Sequence, residues 1–224
     1  MTATRVPGLV AIPVRTRIVR EGDDLATLVA AAVHGIARPG DVIAISETAV
    51  AIAQGEFVAA EHIRPSRLAY VLARRAGALA TVSQPESVQL VIDQVGAWRV
   101  FYASVLHAVG RVLGKRGVFY ELMGEAIAAI DGYTGTMPPY ERAIVFAPRD
   151  PDDVCETIAV VTSVACAIVD ANDLHKAKVL GASRGVDRAA VEQALLDNPH
   201  GNGDEQTPIV VLKWRAGGEN PLQC

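Results

Sequence analysis

The run Ala165-Cys166-Ala167-Ile168-Val169 constrains this chain more than any other stretch. It is short, apolar, partly β-branched and stopped at once by Asp170-Ala171-Asn172-Asp173, which is the pattern of a buried strand with a polar cluster at its end. Three acceptor side chains in four positions at a strand end have two readings. In one, Asp170 and Asn172 fold back on backbone N–H groups as a turn or helix cap, and Asp173 is solvated. In the other, carboxylate and amide oxygens gather a hard cation, Mg²⁺ or Mn²⁺, and the cation gathers phosphates.

The surrounding pattern is that of an α/β sheet. Leu9 to Val14 reads as a strand, and Asp23 and Asp24 cap a helix reaching about Ala37, with Leu25, Leu28, Val29 and Val33 at helical spacing. Arg38-Pro39-Gly40-Asp41 ends it, and Val42 to Ile45 forms a short buried strand that again finishes in polar side chains, Ser46, Glu47 and Thr48. Strand–helix–strand order with polar strand ends is where ligands collect in such sheets. Ala49 to Ala60 is ambiguous around a turn at Gln54-Gly55-Glu56, and Pro65 to Arg75 reads as a helix. From Gln84 to Tyr102 the apolar residues alternate, Val88, Leu90 and Ile92 and then Trp98, Val100 and Tyr102 after Gly96, which predicts a hairpin. Tyr120 to Ile130 carries one apolar helical face and then breaks at Asp131, where a loop rich in turn formers begins. Ala143 to Ala147 is a strand, Asp150-Pro151-Asp152-Asp153 starts a helix by its caps, Asp187 to Leu196 is a helix, and Pro208 to Trp214 is the final strand.

Composition narrows the function classes. The 224 residues are 50% hydrophobic with a net charge of −4 and interspersed signs, so the chain is globular and lacks the basic face of a nucleic-acid binder. Three cysteines, Cys155, Cys166 and Cys224, show no CxxC spacing and fit reduced thiols in a cytoplasmic protein. The longest apolar run, Ile158 to Val169, is interrupted by Thr162 and Ser163 and is too short to span a bilayer. No repeat or linker divides residues 1–215, and the tail from Ala216 is expected to be loose.

Two local motifs compete with a strand-end site. Gly110 to Gly117, with Lys115, fails the Walker pattern, because its glycine spacing is one short and no Ser or Thr follows the lysine; it reads as a basic connecting turn. Gly181-Ala182-Ser183-Arg184-Gly185 matches Gly-x-Ser-x-Gly, but a hydrolase built on Ser183 would have only the last forty or so residues for its acid and its base, with His200 as the sole candidate. The polar loop Asn198 to Thr207 precedes a strand, so His200 reads as a surface residue, while Glu205 and Gln206 lie close enough to the strand start to reach a shared crevice.

Several of these pieces, in this order, resemble the coenzyme F420-0:L-glutamate ligase family. Ile45-Ser46-Glu47-Thr48-Ala49-Val50 with Gly55 is similar to that family's strand ending in Thr-Ser-Lys. Ala129-Ile130-Asp131-Gly132-Tyr133-Thr134, followed by Pro138-Pro139 and Val145 to Asp152, is similar to its Gly-(Ile/Leu/Val)-Asp-x-Ser-Asn segment. The Ala167–Asp173 stretch stands where the family carries Ser-Asp-Thr. The resemblance implies a two-lobed α/β fold with a mixed sheet, two interleaved lobes in one domain, and a homodimer with its site near the subunit boundary. It also implies an amide ligase in which GTP, or ATP, activates a carboxylate of a deazaflavin cofactor precursor and an amino acid, L-glutamate, attacks it. By position, Asp131 with Asp170 or Asp173 would hold Mg²⁺ or Mn²⁺. Lys176 would neutralise phosphate, Glu205 or Gln206 would line the acceptor pocket, and Ser46, Glu47, Thr48, Asn172 and His175 would contact the nucleotide or cofactor. The departures are as specific. Glu47 replaces the family's lysine, Tyr133-Thr134 replaces Ser-Asn, and His175, Lys176 and Lys178 stand where two arginines are expected, so a bidentate phosphate clamp becomes a set of point charges. A non-catalytic nucleotide- or metabolite-binding homologue is the alternative reading, and a Ser183 hydrolase a distant third.

Overall fold

The computed structural model describes residues 9–76, 84–112, 130–133, 138–172, 175–201 and 205–214, with the side chains of Ala76, 108–112 and 130–133 outside that description. The chain forms two compact units, Met1–Glu56 with Pro148–Cys224, and Phe57–Ala147.

The first unit is built on a five-stranded sheet. Its strands are β1 (Leu9–Val14), β2 (Val42–Ser46), β6 (Ala165–Asn172), β7 (Lys176–Ala182) and β8 (Ile209–Trp214), in the order β1-β8-β2-β6-β7. The two apolar runs of the sequence, β2 and β6, lie parallel at its centre, Val42 opposite Ala165 and Ser46 opposite Val169; β8 is antiparallel to β2, and β7 to β6. Central position explains their composition, since alternate residues of each face opposite hydrophobic layers. Ile43, Ile45, Cys166 and Ile168 pack with Val29 and Val33 of α1 (Leu25–Val33) and with Cys155 and Ile158 of α6 (Pro151–Thr162). Val42, Ala44, Ala167 and Val169 pack with Val191 and Leu195, at α7 (Arg188–Ala194) and just beyond it. The sheet is thus the middle layer, and both faces of its core strands leave water.

Local chemistry sets the helix starts. Asp24 caps α1 by accepting from the N–H groups of Ala26 and Thr27, and the Thr27 hydroxyl donates to it at 2.6 Å. The expected acidic cap of α6 takes another form: Asp150 is left-handed and makes no cap bond, while Asp152 accepts from the Ala182 N–H at 2.8 Å and from Arg188 at 2.7 Å, tying the helix start to β7. The α2 helix (Glu47–Ala53) follows β2 without a loop.

Among the described residues, the second unit has a three-stranded sheet, β3 (Phe57–Ala59), β5 (Ala143–Phe146) and β4 (Ile130–Tyr133), in the order β3-β5-β4, and the helices α3 (Arg67–Ala76), α4 (Pro85–Val95) and α5 (Ala97–Val112). The hairpin expected over Gln84–Tyr102 is instead α4 and α5. Val88, Leu90 and Ile92 satisfy a period of two, but Val88, Val91, Ile92 and Val95 satisfy a helical one, and Val88, Val91 and Ile92 are the buried apolar residues. Pro85 opens α4, and Gly96, at φ +89°, closes it with an N–H bond to the Ile92 carbonyl. Asp131 also differs from expectation: it pairs with Val145 inside β4 and does not mark a helix-to-loop boundary. Of the helix expected over Tyr120–Ile130, Ile130 is the first residue of β4, and residues 120–129, residues 113–117 of the glycine-rich turn, and the tail from Ala216 lie outside the described residues.

Where the chain leaves and re-enters the first unit, Gln54 and Arg149 hold the two segments together. The Gln54 amide donates to the Arg149 carbonyl at 2.9 Å and accepts from the Arg149 N–H at 2.8 Å, and the Arg149 guanidinium donates to the Gln54 carbonyl at 3.1 Å and meets Glu56 at 2.5 Å. Gln54→Ala removes both side-chain bonds and leaves two main-chain groups to water, so a loss of about 1–2 kcal/mol is expected in urea unfolding; an unchanged urea midpoint would show the amide to be idle.

Candidate functional site

One end of the five-stranded sheet collects most of the polar residues singled out in the sequence. In the parallel pair, β2 finishes there and β6 runs on past it, with Ser46 opposite Val169 and Asp170 next in line. The segment entering β8 runs alongside: the Ser46 N–H donates to the Pro208 carbonyl at 2.8 Å, and the Thr16 N–H donates to the Gln206 carbonyl at 2.9 Å. Ser46 is therefore flanked on one side by Val169, just before Asp170, and on the other by Pro208, two residues after Gln206, although more than a hundred residues separate Ser46 from either segment. Ser46 precedes α2 without a side-chain cap bond, and Glu47 and Thr48 form that helix's first turn.

The polar cluster itself is not a strand end. β6 continues through Asn172 and pairs with β7, Asp170 opposite Lys178 and Asn172 opposite Lys176. Asp170 and Asn172 thus belong to the polar outer half of a hairpin and not to a turn or helix start. By strand alternation Asp170 and Asn172 point to one face, the side on which Cys166 and Ile168 meet α6. Asp170 keeps much of its surface exposed, yet enough protein surrounds its carboxyl that desolvation raises its pKa above the usual carboxylate value, with Lys178 pulling the other way.

The remaining candidates separate. Lys176 is exposed and pairs with the far end of β6, about 10 Å beyond Val169 at the strand rise. His175, left-handed at φ +55°, turns toward the end of α7, with Nδ1 3.3 Å from the Leu196 carbonyl and 3.6 Å from Asp197. Glu205 is exposed, and its carboxylate closes over Gly201, where an added Cβ would come within 2.6 Å of it. The Asp173 residue and the Asp131 side chain lie outside the described residues. Among the described residues, no three His, Cys, Asp or Glu side chains group as a metal site, and no helix is long and apolar enough to cross a membrane.

Ser183 does occupy a strand–turn–helix junction, but it is only 5% exposed. Its hydroxyl accepts from the Cys166 N–H and its own N–H donates to the Cys166 carbonyl, both at 2.9 Å. A hydroxyl consumed in extending the β6–β7 ladder is not a presented nucleophile.

His200, read from sequence as a surface residue, is buried at 8% exposure. Its Nδ1 lies 3.2 Å from the Thr207 carbonyl, and the Thr207 hydroxyl donates back to the His200 carbonyl at 2.5 Å. Burial lowers its pKa to about 4, so it is neutral near pH 7. Sequence reasoning missed this pairing because one histidine in a Gly- and Asn-rich loop carries no periodic signal.

Two parallel inner strands with helices on both faces of the sheet define an α/β protein. Its residues 13–200 match the profile of the F420-0:Gamma-glutamyl ligase family, and the chain belongs to that family. It is similar to the coenzyme F420:L-glutamate ligase of Methanopyrus kandleri, 32% identical over 136 residues, which are 61% of this chain and 46% of that protein. The chain thus aligns with about half the length of this curated relative.

Proposed function

We propose that the protein is an amide ligase that joins L-glutamate to a carboxylate-bearing cofactor of the F420-0 type, using GTP and a divalent cation. The observation that carries this reading is the parallel pairing of β2 with β6, which sets Ser46 opposite Val169 and next to Asp170, with the segment that follows Gln206 on the other side of Ser46, in a chain of this family. In the proposed reaction the terminal phosphoryl group of GTP moves to a carboxylate oxygen of the acceptor, releasing GDP. The glutamate amine then attacks the acyl carbon, phosphate leaves, and the nitrogen gives up a proton.

Such chemistry is chiefly positioning and charge neutralisation. Asp170 suits a cation because its carboxylate is already desolvated beyond what Lys178 offsets, and Asn172 adds an amide oxygen on the same face. A bound Mg²⁺ or Mn²⁺ would supply charge neutralisation at the nucleotide phosphates. Lys178, opposite Asp170, is the nearest described ammonium for phosphate, ahead of Lys176 at the hairpin's far end. Ser46, at the end of β2, and Gln206, before β8, would contact the bound substrates.

The test is a reaction of the protein with GTP, Mn²⁺, coenzyme F420-0 and L-glutamate, followed by mass spectrometry for one added glutamyl group and by GDP release. In parallel, GTP with Mn²⁺ is expected to raise the melting point of the wild type, a ligand at a hundred times its Kd contributing about 2.7 kcal/mol. Asp170→Asn is expected to weaken this binding tenfold or more, and the same titration on Asp131→Asn and Asp173→Asn reads whether those carboxylates take part. Nucleotide binding without turnover would favour the non-catalytic homologue, to which Glu47 in place of a lysine already lends support; no nucleotide effect and no turnover would defeat the ligase reading.

A further inference from the structure

The loop from α7 to β8 is held in a demanding conformation. Asn198, Gly201 and Gln206 all have left-handed backbones, at φ +45°, +74° and +55°. For a residue such as Gln206 this persists only where the surroundings over-determine it. One restraint is the bond from the Thr16 N–H to its carbonyl. The other acts on its neighbour Thr207, through the two bonds exchanged with His200.

The tautomer of His200 follows from its partner. The Thr207 carbonyl can only accept, so Nδ1 carries the hydrogen and Nε2 the lone pair. Nε2 is buried and has no hydrogen-bond partner among the described residues. A buried acceptor left without a donor costs stability that an apolar side chain of similar size would not lose. The imidazole therefore adds little to stability; what it supplies is a fixed N–H aimed at Thr207.

We propose that His200 is a positioning residue: its reciprocal clasp with Thr207 sets the 205–208 segment against Thr16 and Ser46 and so fixes Gln206 beside Thr16, just before β8. The functional half of this proposal rests on the ligase reading, whereas the structural half does not.

Three variants test it. His200→Asn keeps a side-chain N–H near the Nδ1 position, His200→Leu keeps volume without a donor, and Thr207→Val removes the return bond. Amide exchange is read at Thr16 and Ser46, whose N–H groups reach the Gln206 and Pro208 carbonyls. His200→Leu and Thr207→Val are expected to speed exchange at Thr16 tenfold or more while melting within about 2–3 °C of wild type, and His200→Asn to restore protection. In the ligase assay, His200→Leu is expected to raise KM for F420-0 about tenfold with kcat within twofold, the pattern of lost binding alone. Unchanged Thr16 exchange in His200→Leu would overturn the proposal, as would loss of protection that only tracks a fall in melting point and is not rescued by asparagine. If the wild type shows no ligase turnover, the ligase reading falls and the exchange measurements alone decide the clasp.

Discussion

Gly181→Val is expected to lower the melting point by roughly 6–12 °C, the shift that about 3 kcal/mol produces in a chain of this size. A Cβ at Gly181 would lie 2.4 Å from the carbonyl carbon of Pro151 and 2.6 Å from its Cβ and carbonyl oxygen. Two of these are backbone atoms at the first turn of α6, so no rotamer change relieves the clash. The strand cannot retreat either, because Gly181 is paired with Ile168 in β6 just beyond the register shift between Ile168 and Val169. Displacing α6 would also strain the bonds from Asp152 to Ala182 and Arg188. Gly181→Ala is expected to show the same effect at a smaller size, since the first added carbon already makes the contact. A valine variant melting with wild type would mean that α6 and β7 do not approach so closely.

The glycine in the apparent nucleophile motif is thus a packing residue, and it marks where sequence reading stopped. What was legible followed from burial: β2, β6 and β8 are apolar runs because both their faces are covered, and α1 is announced by a capping aspartate that does cap. Over residues 84–102 the same residues fit two periods, and only the choice of packing partners, α3 and β5 against α4, selects the helical one. The outward face of α5, with Trp98, Phe101, Tyr102 and Val105 exposed, made the alternation look like a strand's. The sequence marks Asp170 and Asn172 as polar but not as strand residues, because a strand that continues into polar residues shows itself only through its partner, here Lys176 and Lys178 on β7. The Ser46–Pro208 and Thr16–Gln206 contacts join segments far apart in the chain, and no local pattern encodes them.

Stability is expected to fall by about 3 kcal/mol as pH drops from about 6.5 to about 4, and His200 is the group responsible. In the unfolded chain it titrates near its ordinary 6.5, whereas in the fold burial holds it to about 4, with the Thr207 carbonyl pulling weakly the other way. Among the described residues, no charged side chain contributes to that shift. A depressed folded-state pKa means that the unfolded chain takes up the proton first, so the stability present above pH 6.5 is lost through the window and the loss is complete below 4. Asp170 acts with the opposite sign, since its pKa is raised in the fold and acid favours it there. Asp23 and Asp24, held low by Arg17 and by Thr27 respectively, lose their contribution only at more acid pH. Urea unfolding at pH 7, 5.5 and 4 measures the slope, and His200→Leu is expected to flatten it between 6.5 and 4 while leaving the steeper acid limb in place. An imidazole titrating near 6.5 in the folded protein, or a leucine variant with the wild-type slope, would show that this ring is not shut away from water.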